Sequence, residues 1–275
     1  MIKVKICGIT SLDDALVAVD AGADALGFVF YASSSRTIAP EVAADIVANL
    51  PPFVSKVGVF VDSDLETVRQ IESFCHLDMV QLHGDESPGF CAALFPKVIK
   101  AFGMRGRSTL DALASYRVPA YLLDAYSPEM VGGTGKAFDW ELAREATGLG
   151  RVILAGGLTP LNVRQAIESV GPYGVDVSTG VESSPGKKDA ALVHAFVRAV
   201  KGTTWQKENE QDIPQAGGPG ARRRAQDQQH LGPGPAGIEN GKAADNRRDR
   251  REAARRGHGD LSKLEAFVAS VRARV

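Results

Sequence analysis

Long apolar runs are missing from this chain of 275 residues, and so are the residues that build cross-linked or metal-bound frameworks. No run approaches the roughly 20 apolar residues of a membrane span, and Met1 to Lys5 lacks the apolar region of a secretory signal. The cysteines are only three, Cys7, Cys75 and Cys91, too few for a disulfide framework, so a reducing, cytoplasmic setting is expected. Five scattered histidines show no HExxH or HxxEH spacing, and no CxxC occurs; no metal is expected. An excess of one charge sign is also missing overall, since the net charge is −1. That balance hides a split: residues 1–200 carry −6 and residues 201–275 carry +5.

What is present, over the first 200 residues, is one repeated grammar: a short β-branched or apolar run, a glycine-rich or polar loop, then a segment of helical periodicity. Strands are predicted at Val4–Ile6, Ala25–Phe30, Val54–Val61, Met79–Leu82, Val98–Ala101, Ala120–Asp124, Arg151–Ala155 and Val175–Ser178. Helices are predicted at Leu12–Ala21, Glu41–Asn49, Asp64–Phe74, Pro88–Phe95, Leu110–Ser115, Asp139–Ala146, Leu161–Val170 and Asp189–Val200. Alternation at this spacing implies a parallel sheet, because parallel neighbours need crossover helices. Eight units with no ninth strand favour an α/β fold closed into a (β/α)8 TIM barrel, for which about 200 residues is the lower size limit. The expected domains are therefore a catalytic barrel over 1–200, a Gly/Pro/Gln/Arg-rich disordered tail over 201–260, and an isolated amphipathic helix over 261–275. Between Gly202 and Asp260 only Ile213, Leu231 and Ile238 come from the Leu/Ile/Val/Phe set, too little apolar surface to offset chain entropy.

In such a barrel every segment just after a strand faces one mouth, so chemistry should collect there. Ala155-Gly156-Gly157-Leu158 and Asp176-Val177-Ser178-Thr179-Gly180 follow the seventh and eighth strands, the usual phosphate position of the fold. Glycines let backbone N–H groups approach an anion closely. Cys7 ends the first strand; near a helix N-terminus and an anion-binding wall its thiol is expected to have a lowered pKa and to serve as a base. Asp124 closes the apolar run Tyr121-Leu122-Leu123 and projects from a desolvated wall, the setting of a general acid. Arg36, in a serine-rich loop, could hold a carboxylate with both arms of its guanidinium. Gly132-Gly133-Thr134-Gly135-Lys136 lacks the spacing of a nucleotide loop and reads as a lid over the mouth.

These residues also stand in a familiar order. Lys5-Ile6-Cys7-Gly8, Gly27-Phe28-Val29-Phe30 with Ser35-Arg36, Val80-Gln81-Leu82-His83-Gly84, Leu123-Asp124, Ala155-Gly156-Gly157-Leu158, Asp176-Val177-Ser178-Thr179-Gly180-Val181-Glu182 and Gly186-Lys187-Lys188-Asp189 together resemble the phosphoribosylanthranilate isomerases of tryptophan biosynthesis. The resemblance spans residues 1–200. It implies an Amadori rearrangement of N-(5-phosphoribosyl)anthranilate to 1-(2-carboxyphenylamino)-1-deoxyribulose 5-phosphate, without cofactor. Asp124 would protonate the furanose oxygen and Cys7 would remove the C2 proton. Arg36 would hold the anthranilate carboxylate, Gln81, His83 and Asp176 would contact substrate, and the backbone of Gly156, Gly157, Ser178 and Gly180 would hold phosphate. Two positions depart from the family pattern, Thr179 where a second serine is usual and Ser35 where a proline is usual. The implied partner is the phosphosugar–anthranilate substrate, with other tryptophan-pathway enzymes as candidate protein partners and no membrane.

Two rival readings remain. A histidine-pathway aminoaldose isomerase shares the barrel, but it carries an aspartate where Cys7 stands and shows a half-chain repeat not found here. A non-catalytic barrel whose tail, with Arg222-Arg223-Arg224 and Arg247-Arg248, binds nucleic acid is disfavoured by ten acidic residues in the same tail. That tail is outside the family pattern and reads as a linker, a fusion remnant or translation beyond a stop.

Overall fold

Eight parallel strands close on themselves in chain order, β1 pairing with both β2 and β8. The computed structural model describes residues 1–124 and 140–211, with side chains to residue 202. The lid predicted at 132–136, residues 212–260 of the tail predicted at 201–260, and the helix predicted at 261–275 lie outside the described residues. The strands are β1 (Lys3–Cys7), β2 (Ala25–Val29), β3 (Ser55–Phe60), β4 (Met79–Leu82), β5 (Val98–Gly103), β6 (Ala120–Asp124), β7 (Val152–Ala155) and β8 (Gly174–Val177). Between and after them run α1 (Leu12–Asp20), α2 (Pro40–Ala48), α3 (Leu65–Phe74), α4 (Pro88–Ala93), α5 (Arg107–Leu113), α6 (Trp140–Ala146), α7 (Val163–Val170) and α8 (Ala190–Gln211).

Local chemistry sets the helix starts. Ser11, Asp64 and Ser87 each accept a hydrogen bond from the backbone N–H three residues on, and Pro40 and Pro88 occupy first-turn positions where no N–H is needed. Thr10, one residue before Ser11, instead donates to Gly186 O at 2.5 Å. Helix α5 starts at Arg107, earlier than the predicted Leu110, with Gly106 at its N-cap, and the Thr109 hydroxyl inside its first turn donates to Gly103 O and accepts from Arg105 N. Helix α7 starts later than predicted because Asn162 turns back, accepting from Thr159 N at 2.8 Å and donating to Gly157 O at 2.9 Å.

Alternation along the strands sorts the core into two layers. Ile6, Leu26, Phe28, Phe60, Leu82, Leu123 and Leu154 pack outward against the helices, while Val57, Ile99, Ala101, Leu122, Ile153 and Ala155 fill the barrel. The expectation of no ninth strand is wrong. Beyond β8 and a 3-10 turn at Thr179–Val181, β9 (Glu182–Ser184) and β10 (Lys187–Lys188) form a two-stranded antiparallel sheet outside the barrel. They are too short to show a period of two in sequence. Helix α8 also runs eleven residues past Val200, to Gln211. Among the described residues no helix is long and apolar enough to cross a membrane.

Candidate active site

The C-terminal ends of the strands surround a cavity of about 670 Å³, and all ten residues singled out by sequence line it: Cys7, Arg36, Gln81, His83, Asp124, Gly156, Gly157, Asp176, Ser178 and Gly180. A second cavity of about 590 Å³ opens at the opposite mouth and is lined by none of them. Two of its three lysines are matched locally, Lys3 with Asp24 and Lys56 with Asp78.

Cys7 ends β1 with its side chain in the barrel, 8% exposed, beside Val29 and Val59. The expected lowering of its pKa is not found. Burial raises it, because the thiolate loses water, and the attraction of Lys5 only partly offsets this. Lys5 itself is buried, with Nζ 3.0 Å from both carboxylate oxygens of Asp176. Burial opposes its charge, yet Asp176 and then Cys7 outweigh that cost, and the lysine pKa ends above its ordinary value.

Across the cavity, His83 Nε2 lies 3.6 Å from Asp124 Oδ2. Burial pushes the imidazole pKa down while Asp124 pulls it up, and burial wins, so the neutral ring is favoured near pH 7. The loop carrying His83 is braced from below. Buried Lys100 donates to Gly84 O at 2.6 Å and pairs with Glu86, which in turn accepts from the backbone N–H groups of Asp62 and Gly84.

Arg36 is already gripped. Its Nε and Nη2 donate to the two oxygens of Glu182 at 2.8 and 2.6 Å, and Nη2 also reaches Thr179 Oγ1 at 3.2 Å. The Glu182 hydrogen bond raises the arginine pKa against burial. Burial alone would raise that of Glu182, but Arg36 and Lys188 hold it below the usual carboxylate range. Lys188, with no exposed side-chain surface, donates to Glu182 at 2.8 Å and to the carbonyl oxygen of Cys7 at 2.6 Å. One carboxylate therefore ties the arginine of the cavity rim to the backbone of the cysteine.

On the remaining wall, Gly156 and Gly157 take positive φ of 85° and 64°, which an L side chain would strain. Gly180 packs so closely against the preceding loop that a Cβ would meet Leu158 O at 1.9 Å. The two glycine loops are thus one surface. Gln81 Oε1 and Ser178 Oγ, both buried on the cavity wall, have no hydrogen-bond partner among the described residues. Buried polar atoms in that state are suited to a polar ligand.

Comparison with known proteins accounts for this arrangement. The family described as N-(5'phosphoribosyl)anthranilate (PRA) isomerase matches residues 4–199. The chain belongs to that family. A Geobacter sulfurreducens N-(5'-phosphoribosyl)anthranilate isomerase is 59% identical over 202 residues, 74% of this chain and all of the relative. The crystal structure of the Thermotoga maritima phosphoribosyl anthranilate isomerase aligns at 47% identity and a TM-score of 0.69, again over 74% of this chain and all of that one. Another structure of such an enzyme, in complex with reduced 1-(o-carboxyphenylamino)-1-deoxyribulose 5-phosphate, aligns at 44% identity and 0.65, with the same shares covered.

Against the family's pattern, sequence reasoning assigned no role to Lys5, Glu182 or Lys188. A signal existed for the first. A lysine inside Val4-Lys5-Ile6 and an aspartate inside Val175-Asp176-Val177 are each a lone charge in a buried strand, and such charges must pair. For Glu182 and Lys188 the strands themselves were not foreseen, so their meeting was not either.

Proposed function

We infer that this barrel catalyses the reaction of its family, the isomerisation of N-(5'-phosphoribosyl)anthranilate in tryptophan biosynthesis, with Cys7 as base and Asp124 as acid. The observation that carries the reading is that one cavity at the C-terminal mouth gathers a thiol, a carboxylate, a fixed guanidinium and a double glycine loop, in a chain of this family.

Each group has a task suited to its place. Asp124 donates a proton to the furanose oxygen; the C1–O bond breaks as the nitrogen lone pair forms the Schiff base. Cys7 then takes the proton from C2, and the electrons of that C–H bond move into the C1–C2 bond to give the enamine, which tautomerises to the aminoketose. No electron leaves the substrate, so the chemistry asks only for proton transfer. The backbone of Gly156, Gly157, Ser178 and Gly180 holds the phosphate, in the position favoured by this fold. Arg36 keeps its guanidinium aligned through Glu182 and binds the anthranilate carboxylate, while Gln81, His83 and Asp176 meet the sugar. The working compartment is the cytoplasm, in keeping with three unpaired, buried cysteines.

The deciding experiment follows the loss of anthranilate-type fluorescence from freshly generated phosphoribosylanthranilate. Wild type is expected to convert it rapidly, with Cys7→Ala and Asp124→Asn slower by about two to four orders of magnitude each. A folded but inert wild type would overturn the substrate assignment, and a fast Cys7→Ala would overturn the base.

A further inference from the structure

Beneath the sulfur of Cys7 lies a charge that the reaction scheme does not use. Lys5 precedes Cys7 by two residues on β1, so both side chains enter the barrel on the same face. Its ammonium bridges across the β1–β8 pair, whose register sets Lys5 against Asp176, and rests 3.0 Å from each carboxylate oxygen. Gly27, the register partner of Cys7 on β2, stands beside both groups: a Cβ there would lie 2.6 Å from the sulfur and 3.0 Å from Nζ. The ammonium is therefore wedged between a carboxylate and a thiol, and all three are almost closed to solvent. Lys5 does not line the upper cavity, where Cys7 and Asp176 are found; it lines the lower one. It can act on substrate only through its neighbours.

We propose that Lys5 is the positioning residue that keeps Cys7 competent as a base, and that Asp176 sets how much of the lysine's charge the sulfur feels. The proposal rests on the reading of Cys7 as the base. Other charges face the cysteine and differ in placement. Lys188, from β10, reaches the carbonyl oxygen of Cys7 and shares Glu182 with Arg36 of the loop after β2. His83, just after β4, and Asp124, at the end of β6, line the far wall of the cavity. Lys5 is the cation on the sulfur side, from the same strand. Burial opposes the thiolate, and an adjacent ammonium in a low-dielectric layer is the group best placed to oppose burial. Asp176 serves both sides of this balance, holding the lysine charged and repelling the thiolate.

Two substitutions should then move Cys7 in opposite directions, which a merely structural role for the pair would not do. The test is alkylation of the full-length protein by iodoacetamide across pH, without substrate, with the Cys7 peptide quantified by mass spectrometry apart from Cys75 and Cys91. Lys5→Met is expected to move the Cys7 midpoint up by about one pH unit or more, reacting about tenfold more slowly at a fixed pH below the midpoint. Lys5→Arg should stay near wild type, and Asp176→Asn should move the midpoint down. An unchanged midpoint in Lys5→Met, or an unchanged or upward one in Asp176→Asn, overturns the proposal. If Lys5→Met does not fold, the sign of the Asp176→Asn shift decides alone. Failure of the underlying reading is seen separately, as near-wild-type turnover by Cys7→Ala, whatever the midpoints do.

Discussion

Gly27 is where a single methyl group would disturb the reacting layer most directly. Its missing side chain is what lets Cys7 and Lys5 share one level of the barrel, with the Cys7 Cα only 3.1 Å from where a Cβ would stand. Gly27→Ala is expected to destabilise the fold by about 1–3 kcal/mol, through overpacking that the backbone contact cannot relax, and to lower kcat/KM. Urea denaturation and steady-state kinetics check the two effects, and unchanged values in both would refute the steric account. The pH profile belongs to the same scale. If Cys7 is the base, as proposed, it works only when deprotonated, and burial holds its thiol above its ordinary value, so kcat/KM should still be rising with pH beyond about 8.5, the value for a free thiol. A plateau already reached at neutral pH would contradict that shift. Cys7 and Asp124 were legible because each ends a strand, and the end of a barrel strand has a known direction. The protonation balance of Cys7 was not legible: it depends on how completely neighbouring strands exclude water and on an ammonium two residues away.

The β9–β10 hairpin is the element that links Arg36 to the backbone of Cys7. Glu182 and Lys188 are buried against each other, and Lys188 reaches the Cys7 carbonyl while Glu182 fixes Arg36. Breaking a buried pair by removing one partner leaves an uncompensated charge, at a cost of about 3–5 kcal/mol. Glu182→Ala should therefore lose stability on that scale in chemical denaturation, and, with Arg36 binding the substrate carboxylate as proposed, KM should rise more than kcat falls because Arg36 loses its alignment. Equal stability to wild type would show that Lys188 finds another partner. The other elements were largely readable from period and turn chemistry, with shifts at α5, which starts behind Gly106, and at α7, where Asn162 spends its side chain on loop bonds rather than a cap. The hairpin was not readable, since its strands span three and two residues and its partners meet only after β8 has turned over the barrel mouth.

At the scale of the whole molecule, the described barrel closes on its own first strand. Asp24 accepts from Lys3, from the backbone of Val4 and, at 2.6 Å, from Lys201 on α8, so α8 is pinned to the first strand. The family match ends at residue 199, and the Geobacter sulfurreducens relative is covered over its whole length. A chain cut after Gln211 is therefore expected to keep wild-type kcat/KM and thermal midpoint. One cut after Val200 should keep activity but melt a few degrees lower, having lost the Lys201 contact to a partly buried carboxylate. Inactivity of the longer piece would show that residues 212–275 contribute to the enzyme.

Local rules in the sequence by themselves determined the succession of eight strand–helix units, their closure, and the mouth at which reactive groups collect. Each follows from nearest-neighbour chemistry: period, caps, glycines and the short reach of crossover connections. Only the tertiary structure decided what surrounds each reactive group. Lys5 with Asp176, Arg36 with Glu182 and Lys188 with the Cys7 carbonyl join positions 146 to 181 residues apart. Charges so distant in the chain acquire their meaning when burial strips away water and leaves each with only the partners that the fold has brought beside it.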